Sequence, residues 1–363
     1  MSPFHNEARI TFTNAFMPAP VCSACRSGII TGIMPTTIGV QNHHSSRTEE
    51  SAIYLPENVK TIPELFKAEG YYTFNNGKDD FNFMYNRFDL YDQPYYQHPI
   101  YGKCGERIDL AILKEKEPFF GQIQMYGGTR VPLIIARYIN NKAVDGGIVN
   151  TDLISGLDIG TTSLCLAGIE IPENMDGIDF FAEDFNGREY VISSRDRCDF
   201  TIDRIRSVRS KDFKYIRNFM TDRPYMQKSY MDVDSVASVL RMKELYRENK
   251  LNEVQSRFMS EERPSEELYD LHNDPFEIKN LANDPAYADV LNKYKNILDE
   301  WVIKTDDKGQ YPENKEGLKF MLGIWGNYVE NPEYKPLIDE DKDFPGSLFY
   351  LKSEKWKKFS NTY

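Results

Sequence analysis

The sequence has no apolar run near the roughly 18 residues that a membrane-crossing helix needs. Its best candidate, Val131–Ala136, is far too short and reads as a buried strand. The opening residues, MSPFHNEARITF, contain no apolar h-region, so no secretory signal is legible in the chain as it stands. Positive charge is in deficit: 44 Lys and Arg stand against 56 Asp and Glu, a formal net charge of −12. A general nucleic-acid binder needs the opposite balance, because it must neutralise phosphates. Cysteines number five (Cys22, Cys25, Cys104, Cys165 and Cys198), too few for a disulfide-stapled scaffold, and the odd number leaves at least one unpaired within the chain. Internal repeats and low-complexity tracts are also absent.

What remains is a chain of 363 residues, 40% hydrophobic, with 23 Tyr and 22 Phe. That is enough apolar material for a core and excludes global disorder. The length suggests two to three domains at about 150 residues each. In the first half, short apolar strands alternate with helical patterns. Thr61 is placed to cap a short helix with Pro63 in its first turn and Gly70 just past its end. Tyr71–Phe74 then reads as a strand. Residues 107–117 read as a charged amphipathic helix, followed by strands at Phe119–Met125 and Val131–Ala136. Asp158 is expected to cap a helix over Ile159–Leu166 that ends at Gly168. This alternation argues for an α/β architecture with a mostly parallel central sheet.

After about residue 189 the pattern changes. Asp203–Val208 and Phe213–Arg217 flank a polar Lys211-Asp212 turn, the pattern of a β-hairpin. Helices are expected over Val233–Asn249 and over Ala286–Lys304, where Val290, Leu291, Tyr294, Ile297, Leu298 and Trp301 recur at helical spacing. The tail beyond 307 is rich in Pro, Gly, Asp and Lys and reads as irregular. The expected organisation is therefore a larger α/β unit over 1–188 and a smaller α+β unit over 189–363.

The most informative stretch is Ala19-Pro20-Val21-Cys22-Ser23-Ala24-Cys25-Arg26-Ser27-Gly28-Ile29-Ile30-Thr31-Gly32. Cys22-x-x-Cys25 fits a redox pair, but no βαβ unit precedes it. It could supply two zinc ligands with His43 and His44, but adjacent histidines do not have zinc-finger spacing. It could also be a plain loop with two partly buried cysteines.

A further reading covers more of the residues. The stretch resembles the sulfatase signature, Cys-x-(Pro or Ala)-x-Arg followed by a short helix and Thr-Gly, filled here by Cys22, Ala24, Arg26 and Thr31-Gly32. Phe12-Thr13-Asn14-Ala15-Phe16 is similar to the family's lead-in. Gly70–Thr73 with Gly77-Lys78 resembles the strand that delivers a sulfate-contacting lysine. Gly127–Ile134 resembles the family's Gly-Gly-x-Arg-Val-Pro strand, and Asp158–Gly168 the helix after it. Glu267–Leu271, Asp274-Pro275 and Asn280-Leu281 are similar to its C-terminal signature. Among subgroups, the resemblance is nearest to bacterial-type sulfatases related to heparan N-sulfatase.

The resemblance implies an alkaline-phosphatase-like sandwich with a smaller α+β C-terminal subdomain. It implies hydrolysis of sulfate esters or sulfamates of sulfated glycans, after a formylglycine-generating enzyme converts Cys22 to formylglycine. Arg26 would hold the hydrated aldehyde, Lys78 would neutralise a sulfate oxygen, and His43 and His44 would contact substrate. Ca2+ would be bound with the modified Cys22 as one ligand. Full-length relatives typically work in the periplasm, outside the cell or in lysosomes.

Several family features have no counterpart in this sequence. The N-terminal strand with paired aspartates is not found, and a central segment is expected to be missing at Met125–Tyr126, so the remaining calcium ligands are expected to be absent. Asp80 stands where relatives commonly have a histidine, Ala24 where proline is often preferred, and Cys25 where serine is common. These departures leave open a catalytically dead sulfatase-like protein. A phosphate-ester hydrolase of the same superfamily is a further alternative, opposed by Cys22, since such relatives use Ser or Thr. Arg195, Arg197, Arg204, Arg206 and Arg209 could line an anion-binding groove or form a solvated hairpin face.

Overall fold

The computed structural model describes residues 10–46, 48–98, 102–106, 108, 110–116, 118–123, 130–139, 142–144, 146–228 and 237–340. Gly127-Gly128-Thr129, the Met125–Tyr126 junction and the expected helix start at Val233 lie outside the described residues. Among the described residues no helix is long and apolar enough to cross a membrane.

In chain order the N-terminal half runs β1 (Ile10–Phe16), α1 (Cys22–Thr31), α2 (Ile62–Ala68), β2 (Tyr72–Asn76), α3 (Arg87–Leu90), β3 (Gln93–His98), β4 (Gly102–Gly105) and β5 (Phe119–Ile123). It continues through β6 (Arg130–Ile135), β7 (Arg137–Ile139), β8 (Lys142–Val144), β9 (Val149–Ser155) and α4 (Asp158–Leu166). The strand β1 buries Ile10 and Phe12 on one face, as period-two alternation requires. It sits between β9, parallel, and β6, antiparallel. A second sheet has the order β4-β3-β2-β5, with β2 parallel to both β3 and β5. Each sheet thus carries one antiparallel edge strand, β6 in the first and β4 in the second, while its other pairings are parallel.

Local sequence explains most of these elements. Thr61 and Glu64 form a reciprocal capping box at the start of α2, with Pro63 in its first turn. Gly168 ends α4 at φ +71, a conformation that glycine adopts without steric cost. Three expectations need correction. Residues 107–117 hold a 3₁₀ segment, Leu110–Glu115, in place of an α-helix. The expected buried strand near Val131–Ala136 is the edge strand β6, and its Ile134 is 54% exposed. Asp158 does not cap α4. It accepts from the Ser155 and Ile178 amides and pairs with Arg188, so it pins the surrounding loops.

The C-terminal half is an antiparallel meander, β10 (Val191–Arg195), β11 (Ile205–Arg209), β12 (Phe213–Asn218) and β13 (Glu266–Asp270). The expected hairpin is β11–β12. The helix Ala288–Thr305 packs on the meander, with Tyr294 and Leu298 buried against Val208, Tyr215 and Leu268. The region beyond 307 is more ordered than its composition suggested. Helices Lys315–Trp325 and Lys335–Glu340 bury Leu318, Met321, Leu322 and Leu337 against Phe200 and Tyr334. Leu318, Met321, Leu322 and Trp325 have helical spacing, and Asn314 caps the first of these helices by accepting from the Glu316 amide. The two halves are tied by main-chain acceptors of the segment before α1: Ser194 N donates to Pro18 O at 2.9 Å, and Ser193 Oγ to Met17 O at 2.9 Å.

Candidate active site

Cys22 is the first residue of α1, and the extended Val21 before it offers no side-chain cap. The first-turn amides therefore face the Cys22 end, and a helix N-terminus favours negative charge there. The helix is held from inside: Ser27 Oγ donates to Ser23 O and Thr31 Oγ1 to Ser27 O, both at 2.8 Å. Ala24 is fully buried against Ala19 and Val21.

Two segments converge on the Cys22 sulfur. His43 Nε2 lies 3.4 Å from Sγ, Asp80 Oδ2 lies 3.6 Å away, and Lys78 Nζ donates to Sγ at 3.6 Å. Lys78 also pairs with Asp80 at 2.9 Å. Arg26, buried one turn along α1, donates to the Lys78 carbonyl at 2.5 Å. The loop after β2 is held by the buried Asp79, which accepts from Arg87 Nε at 2.5 Å and from the Asp80 amide at 2.8 Å.

His43 and His44 stack with ring centroids 3.8 Å apart. Behind them Asp199 Oδ1 lies 3.2 Å from His43 Nδ1 and 3.6 Å from His44 Nδ1, while His44 Nε2 reaches to 3.7 Å from Asp80. His44, Asp80 and Asp199 all have positive φ, at 56°, 52° and 51°. Such backbone costs about 1–3 kcal/mol per residue and persists only where surrounding contacts impose it. His43 N donates to the Arg197 carbonyl at 3.0 Å, and Arg197 is clamped by Glu313 through two 2.7 Å bonds.

Burial pushes the Cys22 thiol up, but the His43 hydrogen bond and charge, with the Lys78 charge, outweigh it and hold its pKa below the ordinary value. Burial alone dominates at Cys25, whose thiol is pushed up to about 12. Burial lowers the His43 pKa, but Asp199 more than compensates, so His43 titrates well above the usual imidazole range. Lys78 follows the same logic: burial lowers it, and Asp80 and Cys22 raise it further.

The structure thus brings Cys22, Arg26, Lys78, His43 and His44 into one pocket. Asp80 entered the sequence reading only as a departure, and Asp199 and Cys198 not as site residues at all. The paired acids after Lys78 were a visible signal; Asp199 had none, since only the chain path carries it to His43. The arginine row divides between burial and a cleft. Arg197 and Arg206 are fully buried, Arg197 by Glu313 and Arg206 by Asp196 and Asp307. Arg195 and Arg209 line a separate cleft of about 400 Å³ with Phe16, Lys214 and Glu277.

Calcium takes six to eight oxygens. Among the described residues the cluster on Cys22 offers one thiol, one imidazole and the Asp80 carboxylate. Asp199 faces the histidines. That donor set does not fit calcium.

Comparison with known proteins places this geometry in context. Residues 4–124 match the family model described as Sulfatase. An ulvan-active sulfatase of Formosa agariphila is 37% identical over 192 residues, 52% of this chain and 31% of the relative. A second ulvan-active sulfatase of that organism is 32% identical over 187 residues, 50% of this chain and 34% of the relative. The chain spans about a third of the length of these curated relatives. The fold is that of solved sulfatases: a 2-O GAG sulfatase superposes with a TM-score of 0.52 at 17% identity, covering 86% of this chain and 89% of that one. A chain named Ps i-CgsB, in complex with k-i-k-neocarrahexaose, superposes with a TM-score of 0.56 at 14% identity, over 87% of this chain and 90% of its own.

Proposed function

We propose that the chain is a sulfatase-family sulfuric ester hydrolase acting on sulfated glycans, with Cys22 as the source of its nucleophile, a reading supported by the matched family model and the ulvan-active relatives. The observation that carries this reading is the ring of Lys78, His43 and Asp80 at 3.4–3.6 Å around the Cys22 sulfur at a helix N-terminus. A sulfate group is anionic and gains charge on its oxygens as the ester bond breaks, and an ammonium beside the nucleophile stabilises it.

Conversion of Cys22 to formylglycine replaces Sγ by an aldehyde oxygen, and hydration gives two hydroxyls at that carbon. One hydroxyl attacks sulfur; the S–O bond to the sugar breaks and the alcohol leaves with a proton. The second hydroxyl then loses its proton, the carbon–sulfate bond breaks, and the aldehyde returns as sulfate departs. His43, kept protonated by Asp199, is placed to supply the proton of the leaving alcohol. Lys78 contacts the sulfate oxygens. Arg26, through its bond to the Lys78 carbonyl, is a positioning residue.

The ulvan-active relatives favour a sulfated polysaccharide as substrate class. The test is mass spectrometry of the Cys22 peptide after co-expression with a formylglycine-generating enzyme, followed by sulfate release from ulvan oligosaccharides and an aryl sulfate. An aldehyde at Cys22 with sulfate release lost in Cys22→Ala supports the reading. An unmodified thiol with no release supports the second reading, a sulfatase-like chain without catalysis, which the poor fit to calcium favours.

A further inference from the structure

From the Cys22, His43 and Asp80 geometry we propose that the chain in its thiol form binds one zinc ion, or a similar late transition-metal dication. This site goes beyond the hydrolase reading and does not depend on it, since formylglycine would remove the sulfur ligand.

Cys22 Sγ, His43 Nε2 and an Asp80 carboxylate oxygen lie within 4.8 Å of one another. Sulfur is 3.4 Å from the nitrogen and 3.6 Å from the oxygen. Zinc bonds thiolate at about 2.3 Å and nitrogen or oxygen at about 2.0 Å; tetrahedral angles then separate sulfur from either by about 3.5 Å. The observed spacings match those tetrahedral edges. The chemistry agrees, because thiolate and imidazole select zinc-like ions, whereas calcium and magnesium prefer oxygen alone.

The outer shell is also in place. Asp199 Oδ1 lies 3.2 Å from His43 Nδ1, so it holds the proton there while an arriving ion displaces the one on Nε2. This is the carboxylate–histidine–metal arrangement that orients imidazole ligands. Both His43 and Asp80 are buried, at 7% and 5% exposure, so little ordering remains to be done on binding. Lys78 opposes the ion: its ammonium pairs with Asp80 at 2.9 Å and must withdraw when a dication arrives. Cys25 takes no part, being packed against the Ala19, Val21 and Ala24 cluster. On binding, the Cys22 thiol and the protonated His43 Nε2 each release one proton to solvent, and a metal–sulfur and a metal–nitrogen bond form. No redox change occurs.

The test uses the full chain, expressed without a maturation enzyme and kept reduced, with Cys22 verified as thiol by mass. Cobalt(II) chloride is the first probe and zinc chloride the competitor. One equivalent of cobalt should bind, with a thiolate-to-cobalt charge-transfer band and tetrahedral d–d absorption that zinc abolishes. The band should vanish in Cys22→Ser and persist in Cys165→Ser. Affinity should fall at least tenfold in His43→Gln and in Asp80→Asn, fall in Asp199→Asn, and rise in Lys78→Met. A second measurement needs no variant: zinc should slow alkylation of Cys22 in the unmodified sequence. Absence of the band, its survival in folded Cys22→Ser, or alkylation unaffected by zinc would overturn the proposal. Neither arm uses a sulfate ester, so failure here is distinct from failure of the hydrolase reading.

Discussion

Arg26 Nη1 donates to the main-chain carbonyl of Lys78 at 2.5 Å, so one arginine on α1 fixes the height of the loop carrying the site's lysine. The arginine is buried, and the ammonium of the same Lys78 reaches the Cys22 sulfur at 3.6 Å.

Arg26→Met is expected to leave that carbonyl without its charged donor, at a cost of about 1–3 kcal/mol in unfolding free energy. In matured protein, sulfate release should fall at least tenfold while Cys22 is still converted. Denaturant unfolding and turnover on one preparation check both parts. Unchanged turnover would show that Lys78 is positioned without Arg26.

The Asp79–Arg87 pair should behave as a buried ion pair. Arg87→Met strands the Asp79 charge, which has no exposure, and should cost about 3–5 kcal/mol. Adding Asp79→Asn to Arg87→Met should restore part of that loss. A double-mutant cycle by denaturation measures the coupling; simple additivity would mean that the pair does not act as a unit.

Gly309 marks a tight contact in the C-terminal half. A Cβ there would lie 1.9 Å from Arg206 Nη2 and 2.5 Å from Asp196 Oδ1. Arg206 cannot easily yield, since Asp307 holds it at 2.7 and 2.8 Å. Gly309→Ala should therefore destabilise by about 1–3 kcal/mol as an overpacking change. Thermal unfolding against the unsubstituted chain decides.

Glu266 gives a pH signature away from the site. Burial raises its pKa, but the Tyr215 hydroxyl at 2.6 Å and the Lys295 ammonium at 3.0 Å outweigh it, and the carboxyl sits below the reference value of 4.5. A depressed carboxyl contributes stability above its unfolded pKa and loses it as pH falls through the folded one. Because the group is partly exposed, about 1 kcal/mol or less is expected. At pH 7 the chain should be more stable than Glu266→Gln, and below pH 4.5 the gap should close. Melting curves across that range measure it; a gap that widens in acid would reverse the assignment.

Local signals were legible where short-range chemistry decides. The Thr61 and Glu64 capping box, Gly168 at the end of α4 and the β11–β12 hairpin all follow from neighbouring residues. The Lys315–Trp325 helix was hidden because Pro, Gly and charged residues around it dominate the composition, while its four apolar anchors join a cluster with Phe200 and Ile202 from far along the chain. Asp158 has the residue type of a cap, yet it is the first residue of α4, and its carboxylate goes to Arg188, the nearby Ser155 amide and the distant Ile178 amide.

By itself the sequence determined the Cys22–Arg26 motif with a helix through Ser27–Thr31, the capped helix after Thr61, the β11–β12 hairpin and the family they resemble, because these rest on spacing along a few turns of chain. Only the tertiary structure decided that Lys78, His43 and Asp80 meet at one sulfur and that Asp199 stands behind the histidines. Those side chains come from three separate segments, held by buried pairs and by positive-φ backbone at His44, Asp80 and Asp199. No local pattern encodes such a meeting, because long-range packing alone sets the distances within it.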